Sequence, residues 1–249
     1  MGAGQPASEQ QALTKPAPDL GIVLVAGGAG VAGECIVHAL LDRGATVVVP
    51  SRSEARLAAL AGRVDPTARD RLRLLVGDVG SETGITRVRD EVLNQHGQLR
   101  GVVASLGAWW EGEQFVDLSM STWSRILNDN LTSHFLVARG LLPVLAQSDD
   151  PVFVTLAGIA ADHPEPHAAP ISITGAAQRM MLRTIAVSDI GRQVRLHEVT
   201  IMTPIVTDGW TGEQPATDWL TGRQVGDYVA DVISPDFARR DTLLLELPA

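Results

Sequence analysis

The chain holds one cysteine, one tyrosine and one lysine in 249 residues, and aromatic side chains make up only 4% of it. A lone thiol excludes an internal disulfide framework, and Cys35, inside a helical pattern, reads as a small buried hydrophobe rather than a redox centre. Basic charge is scarce too: the formal net charge is −9, and of the twenty basic residues nineteen are arginine, leaving Lys15 alone. That balance argues against a nucleic-acid partner, whose phosphates require clustered Lys and Arg. No apolar run reaches the ~20 residues that a membrane span needs. The opening MGAGQPASEQQALTKPAPD lacks a basic head followed by an apolar stretch, so residues 1–19 read as a mobile tail rather than a signal peptide. A cytoplasmic protein is the expectation. Six histidines lie scattered without metal-ligand spacing, so no metal site is expected.

The rest of the composition, 45% hydrophobic and 20% charged with a mean hydropathy of +0.11, is that of a soluble globular chain with a sizeable core. Short apolar runs fall at Ile22 to Ala26, Thr46 to Pro50, Leu72 to Gly77, Gly101 to Ser105, Val152 to Leu156, Val194 to Thr200 and Leu243 to Leu247. They are too uniformly apolar for a sheet with one wet face, which predicts parallel strands covered on both sides. Helical patterns lie between them at Ala32 to Asp42, Ser53 to Ala61, Glu82 to His96, Met120 to Leu145, Ile171 to Ile190 and Gln224 to Ile233. This strict alternation predicts one doubly wound α/β domain over residues 20–249, with about seven parallel strands and helices on both faces. The stretch Ile201 to Arg223, with Trp210 and Trp219, is read as an irregular segment long enough to act as a lid.

Directly after the first strand comes Ala26-Gly27-Gly28-Ala29-Gly30-Val31-Ala32-Gly33, opening a helix. Glycines in a strand–turn–helix setting let the backbone turn tightly and bring helix N-terminal N–H groups to a pyrophosphate. A turn that merely packs closely would need some of the same glycines.

With this motif in place, the chain from Gly21 onward resembles the short-chain dehydrogenase/reductase family, a Rossmann-type fold. The resemblance implies a nicotinamide dinucleotide on Gly27, Gly30 and Gly33, although Val31 stands where most members have the middle glycine. The second strand ends in Pro50-Ser51-Arg52 rather than an acidic residue, and Ser51 with Arg52 suits the 2′-phosphate of NADP. Gly77-Asp78-Val79 matches the family's adenine-contacting step, with Asp78 also a candidate helix N-cap. The family's Asn-Asn-Ala-Gly becomes Ala104-Ser105-Leu106-Gly107, keeping only Gly107, a loss expected to loosen the floor of the site. Trp109 and Trp110 follow, placed to wall a pocket or to pack in a core or subunit contact.

The segment from Trp123 to Pro143 resembles the family's fourth helix and puts Asn130 on its functional asparagine, or leaves it there only to bend the helix. By the same resemblance, the catalytic serine position falls on Gly158, and the Tyr-x-x-x-Lys positions fall on Ile171 and Gly175. No such pair exists elsewhere, because the only tyrosine is Tyr228 and the only lysine is Lys15. Hydride movement at carbon must be matched by proton movement at oxygen. Substitute proton donors are sought in Asp162-His163-Pro164-Glu165-Pro166-His167, where His163 and His167 offer imidazoles, the side chains used most often for general acid–base work. An ordinary polar surface loop explains the same residues. Ser172 and Thr174 sit beside the vacated positions as common first-turn residues, and Thr155 reads as structural.

The resemblance therefore implies an atypical member that binds NADP(H) and acts on a small apolar or carbonyl-containing substrate without the serine–tyrosine–lysine mechanism, redox or non-redox. The alternative is a non-catalytic member: a nucleotide sensor, or a subunit paired with an active relative. A homo-oligomer, dimer or tetramer, is implied in the first case and a hetero-oligomer is open in the second.

Overall fold

A computed structural model describes residues 19–212 and 214–248. The expected tail over residues 1–19 lies, apart from Asp19, outside the described residues. In chain order the elements are β1 (Ile22–Ala26), α1 (Val31–Asp42), β2 (Thr46–Ser51), α2 (Glu54–Arg63), β3 (Leu72–Val76), α3 (Glu82–His96), β4 (Gly101–Ala104), α4 (Met120–Leu127) and α5 (Ser133–Leu145). There follow β5 (Val152–Gly158), α6 (Ala169–Ala186), β6 (Arg195–Ile201), β7 (Ile205–Val206), β8 (Leu220–Thr221), α7 (Gly222–Ile233) and β9 (Leu244–Leu247).

Seven of these strands form one parallel sheet in the order β3-β2-β1-β4-β5-β6-β9. Because side chains alternate along a strand, each strand feeds two cores. Val23 and Val25, Val47 and Val49, and Val152 and Val154 face one cluster with Ile36, Leu40, Leu57 and Val229 from α1, α2 and α7. Leu24 and Ala26, Val48, and Phe153 face the other, with Ile85, Val88, Leu141 and Leu182 from α3, α5 and α6. The uniformly apolar runs thus have helices on both sides, as the sequence pattern implies. The order of strands reverses between β1 and β4, which pair directly, and the carboxyl ends at such a reversal are where ligands bind in sheets of this kind.

Four of the expected elements differ from those observed in ways that bear on the site. The single helix expected over Met120 to Leu145 is broken by a π-helical turn, Asn128–Thr132, where one extra residue per turn swings Asn130 towards the loop after β4. Helix α6 begins at Ala169, since Pro170 needs no N–H bond in the first turn, and ends at Ala186 rather than Ile190. The segment after β6 is not wholly irregular, because β7 and β8 pair in parallel and the Thr203 hydroxyl accepts the Leu220 N–H at 2.9 Å. Helix α7 then starts two residues earlier than expected, on a capping box made by Thr221 and Gln224. It lies tightly against α1: a Cβ on Gly222 would stand 2.5 Å from the Cys35 sulfur. Burial pushes the Cys35 thiol pKa up, consistent with a packing role.

Candidate functional site

The turn between β1 and α1 has no room for a side chain at Gly27 or Gly33. Gly27 has φ +83°, and a Cβ there would fall on the carbonyl oxygen of Ser105. A Cβ on Gly33 would fall on the Gly27 carbonyl oxygen. The turn closes with Gly30 N–H donating to the Gly27 carbonyl at 2.9 Å. Gly30 is the N-cap of α1 and supplies no capping side chain, so first-turn N–H groups of a twelve-residue helix are left for a ligand. Glu34, the acid in that turn, would oppose an anion. The Arg63 guanidinium grips it, with Nη2 2.6 Å from Oε2, and holds its carboxyl below the usual range. Val31 is 63% exposed at the first helical position, so the middle-glycine position presents an apolar surface to whatever occupies the turn.

Gly77 N–H donates to the Ser51 carbonyl at 3.0 Å and draws the ends of β2 and β3 together. The Ser51 hydroxyl accepts the Ser53 N–H at 3.2 Å, and Ser53 caps α2. Arg52 is exposed and has no ion-pair partner among the described residues. Asp78 is not the N-cap of α3. Its carboxylate accepts the Gly80 N–H at 3.0 Å, while Ser81 does the capping. A groove of about 510 Å³ runs beside Asp78 along β3 and α3 as far as Asn94, and none of the glycine turn lines it.

The loop after β4 is held from below. Gly107 has φ +95°, and a Cβ on it would fall on the Asn130 side chain. Asn130 Oδ1 accepts the Ala108 N–H at 2.9 Å, and its Nδ2 donates to the Ala108 carbonyl at 3.2 Å. Next to this clamp, His134 Nε2 lies 3.2 Å from the Leu106 carbonyl and Nδ1 3.1 Å from the Thr155 hydroxyl. Gln178 Nε2 donates to that hydroxyl at 2.6 Å and to the Leu156 carbonyl at 2.8 Å. The floor expected to loosen with the lost asparagines is therefore pinned at Leu106 and Ala108, because side chains from other elements bond its backbone. Further along, Trp109 is 59% exposed, and the Trp110 ring lies over Gly112, where a Cβ would be 2.6 Å from it.

At the end of β5, Gly158 is exposed and nothing lies within 4 Å of where its Cβ would be. Ile171 is half-buried in the first turn of α6. One turn on, Gly175 lies against the loop, where a Cβ would be 3.0 Å from that of Ala161. The same loop is anchored by Arg179, which binds Asp162, the buried Glu198 at 2.7 Å and Thr200 at 2.9 Å. Ser172 accepts the Glu165 N–H at 3.1 Å, and the buried Thr174 hydroxyl bonds its own helix at Pro170. His167 and Gly112 join the two loops: Gly112 N–H donates to the His167 carbonyl at 2.9 Å, and His167 Nδ1 donates to the Gly112 carbonyl at 3.2 Å. The His163 ring is exposed and makes no hydrogen bond among the described residues. After β6, Trp210 and Trp219 meet edge to face at 5.5 Å.

Residues 27–230 match a protein-family model described as enoyl-(acyl carrier protein) reductase. The chain belongs to the short-chain dehydrogenase/reductase family. Among relatives of this family, the rhamnolipids biosynthesis 3-oxoacyl-[acyl-carrier-protein] reductase of Pseudomonas aeruginosa is 28% identical over 185 residues, covering 72% of this chain and 70% of that protein. An uncharacterised oxidoreductase of Mycobacterium tuberculosis is 27% identical over 215 residues, 85% of this chain and 81% of that one. The match to the Bacillus subtilis protein YtkK, 24% identical, spans about half of either chain (49% and 48%). Among solved structures, a short-chain type dehydrogenase/reductase from Mycobacterium ulcerans superposes with a TM-score of 0.82 at 19% identity, covering 93% of this chain and 89% of that one. A 3-ketoacyl-(acyl-carrier-protein) reductase from Brucella melitensis, complexed with NADH, gives 0.79 at 17% identity, with 92% and 97% covered.

In this short-chain dehydrogenase/reductase, the carboxyl edge collects Asp78, then Ser51 and Arg52, then Gly27, Gly30 and Gly33, then Gly107, following the strand order β3-β2-β1-β4. Asn130 reaches the same edge through the Ala108 backbone, and His167 reaches it through Gly112. His163 has no comparable tie to it. Sequence reasoning passed over His134 and Gln178 and gave Thr155 no partner. The one available signal was polarity inside runs that otherwise read as core.

Proposed function

We propose that this protein binds NADP(H) across the carboxyl ends of β1 and β4 and acts on a small apolar or carbonyl-containing substrate without the serine–tyrosine–lysine mechanism. The observation that carries the reading is a glycine cradle with uncapped helix N–H groups at Gly27 to Gly33, and the family resemblance sets against it Gly158, Ile171 and Gly175 at the positions of the reacting side chains. The residues present fit the cofactor, because glycine stands at Gly27 and Gly33, where a Cβ would collide with the turn, and Arg63 offsets the charge of Glu34. Ser51 and the free Arg52 favour a 2′-phosphate, since a guanidinium binds phosphate oxygens in a fork. Bound there, the nicotinamide supplies hydride chemistry. Asn130 holds the loop beneath it. His167, with Nδ1 committed to Gly112, keeps Nε2 for a substrate oxygen, and His163 is the second proton donor in this loop. We read residues 20–249 as one cytoplasmic domain that forms a homo-oligomer. Titration with NADPH, followed by tryptophan fluorescence and calorimetry, tests the reading, and absence of saturable binding ends its redox form.

Phe135, Ile173, Met180 and Val187 favour a second reading. These side chains stand 41–70% exposed on α5 and α6 and at the end of α6, apolar surface that another subunit would cover. In that reading the chain is a non-catalytic member, a nucleotide sensor or the partner of an active relative. Native mass spectrometry of the purified protein separates the two: a uniform homo-oligomer that turns over a carbonyl substrate removes the second.

A further inference from the structure

His134, Thr155 and Gln178 come from α5, β5 and α6 and are 1%, 2% and 5% exposed. Burying three polar side chains is costly unless each is bonded, and here the bonds run in one direction. The Leu106 carbonyl can only accept, so His134 Nε2 carries the proton. Nδ1 is then an acceptor of a hydrogen bond from the Thr155 hydroxyl, and the Thr155 oxygen accepts one from the Gln178 amide. Burial pushes the imidazole pKa down to about 4, so the ring stays neutral and the direction holds at neutral pH. The chain of bonds ends on Leu106, between Ser105, whose carbonyl lies against Gly27, and Ala108, which Asn130 clamps.

We propose that His134 is a positioning residue that transmits the placement of β5 and α6 to the Leu106 carbonyl and so sets the β4 loop against the glycine turn. The relay joins the two halves of the cleft: Gln178 and Thr155 stand behind the Gly158 and Ile171 side, while Leu106 borders the dinucleotide side. The proposal rests on the dinucleotide reading only for its ligand readout.

The test uses the full chain and hydrogen exchange at the amides of Ser105 and Ala108, both bonded in the native loop. His134→Leu keeps the volume and removes the relay. His134→Gln restores a donor to Leu106, Thr155→Val removes the middle hydroxyl, and Leu141→Ala, in the same helix and fully buried, is the control for general destabilisation. Loss of the partner of the part-buried Leu106 carbonyl predicts about tenfold faster exchange at both amides in His134→Leu, a smaller rise of about threefold in Thr155→Val, and near-normal exchange in His134→Gln. NADPH binding weakens by about the same factor in His134→Leu and recovers in His134→Gln. Normal exchange in both His134→Leu and Thr155→Val overturns the proposal, as does an equal local rise in Leu141→Ala. If His134→Leu does not fold, Thr155→Val against the control decides. Failure of the wild-type protein to bind NADPH refutes the dinucleotide reading, and the exchange result still decides the relay.

Discussion

Acidification should remove stability through His134 well before the carboxylates titrate. In the unfolded chain its imidazole takes a proton near the ordinary value of 6.5, whereas in the folded protein burial delays this to about 4, the bond to Leu106 opposing only weakly. The native pKa is depressed, so the unfolded state binds more protons between these values and stability falls as pH falls. The contribution is complete above 6.5 and is lost on the way down to about 4. At about 1.4 kcal/mol per pH unit it amounts to about 3 kcal/mol, a large share of the ~5–15 kcal/mol of a typical domain. Urea unfolding followed by circular dichroism at pH 7, 6, 5 and 4.5 should show this slope in the wild type and a slope flatter by that amount in His134→Leu. His96 and His197 are also depressed by burial, and both remain in the variant, so the difference isolates His134. Equal slopes in the two proteins, or an NMR titration of His134 near 6.5, would refute the reasoning.

Gly27→Ala places a Cβ on the Ser105 carbonyl at φ +83° and should cost about 3 kcal/mol, whereas Gly30→Ala, with φ −101° and its nearest atom at 3.2 Å, should cost under ~1 kcal/mol; urea midpoints compare them. Arg52→Ala should weaken NADPH binding about tenfold or more and leave NADH binding nearly unchanged in parallel calorimetric titrations, and equal losses would remove the 2′-phosphate assignment. Gly158→Ser enters open space and should change stability by less than about 0.5 kcal/mol. Gly175→Lys brings a Cβ to 3.0 Å from that of Ala161, so the thermal midpoint should fall by several degrees, and an unchanged midpoint would show that the turn yields freely.

What the sequence determined by itself is local in origin. Valine-rich runs such as Thr46 to Pro50, too apolar for one wet face, announced a parallel sheet, whereas the caps Ser81 and Thr221 emerged only in the fold: Asp78 was the cap candidate for α3, and α7 was expected to start at Gln224. The glycines from Gly27 to Gly33 marked the turn because conformation and close approach are demands on single residues. Scarcity was legible as well, since no arrangement of one tyrosine and one lysine that lie 213 residues apart creates a Tyr-x-x-x-Lys pair. Tertiary structure alone decided which polar groups meet. His134 and Thr155 lie 21 residues apart, Thr155 and Gln178 lie 23 apart, and His167 bonds a glycine 55 residues earlier. Hydrophobic periodicity records which face of an element is buried and carries nothing about partners on other elements. A hydrogen bond needs two atoms within about 3 Å in a set direction. That condition is met only once β4, β5, α5 and α6 have packed, and it is what turned an eroded loop motif into a fixed floor.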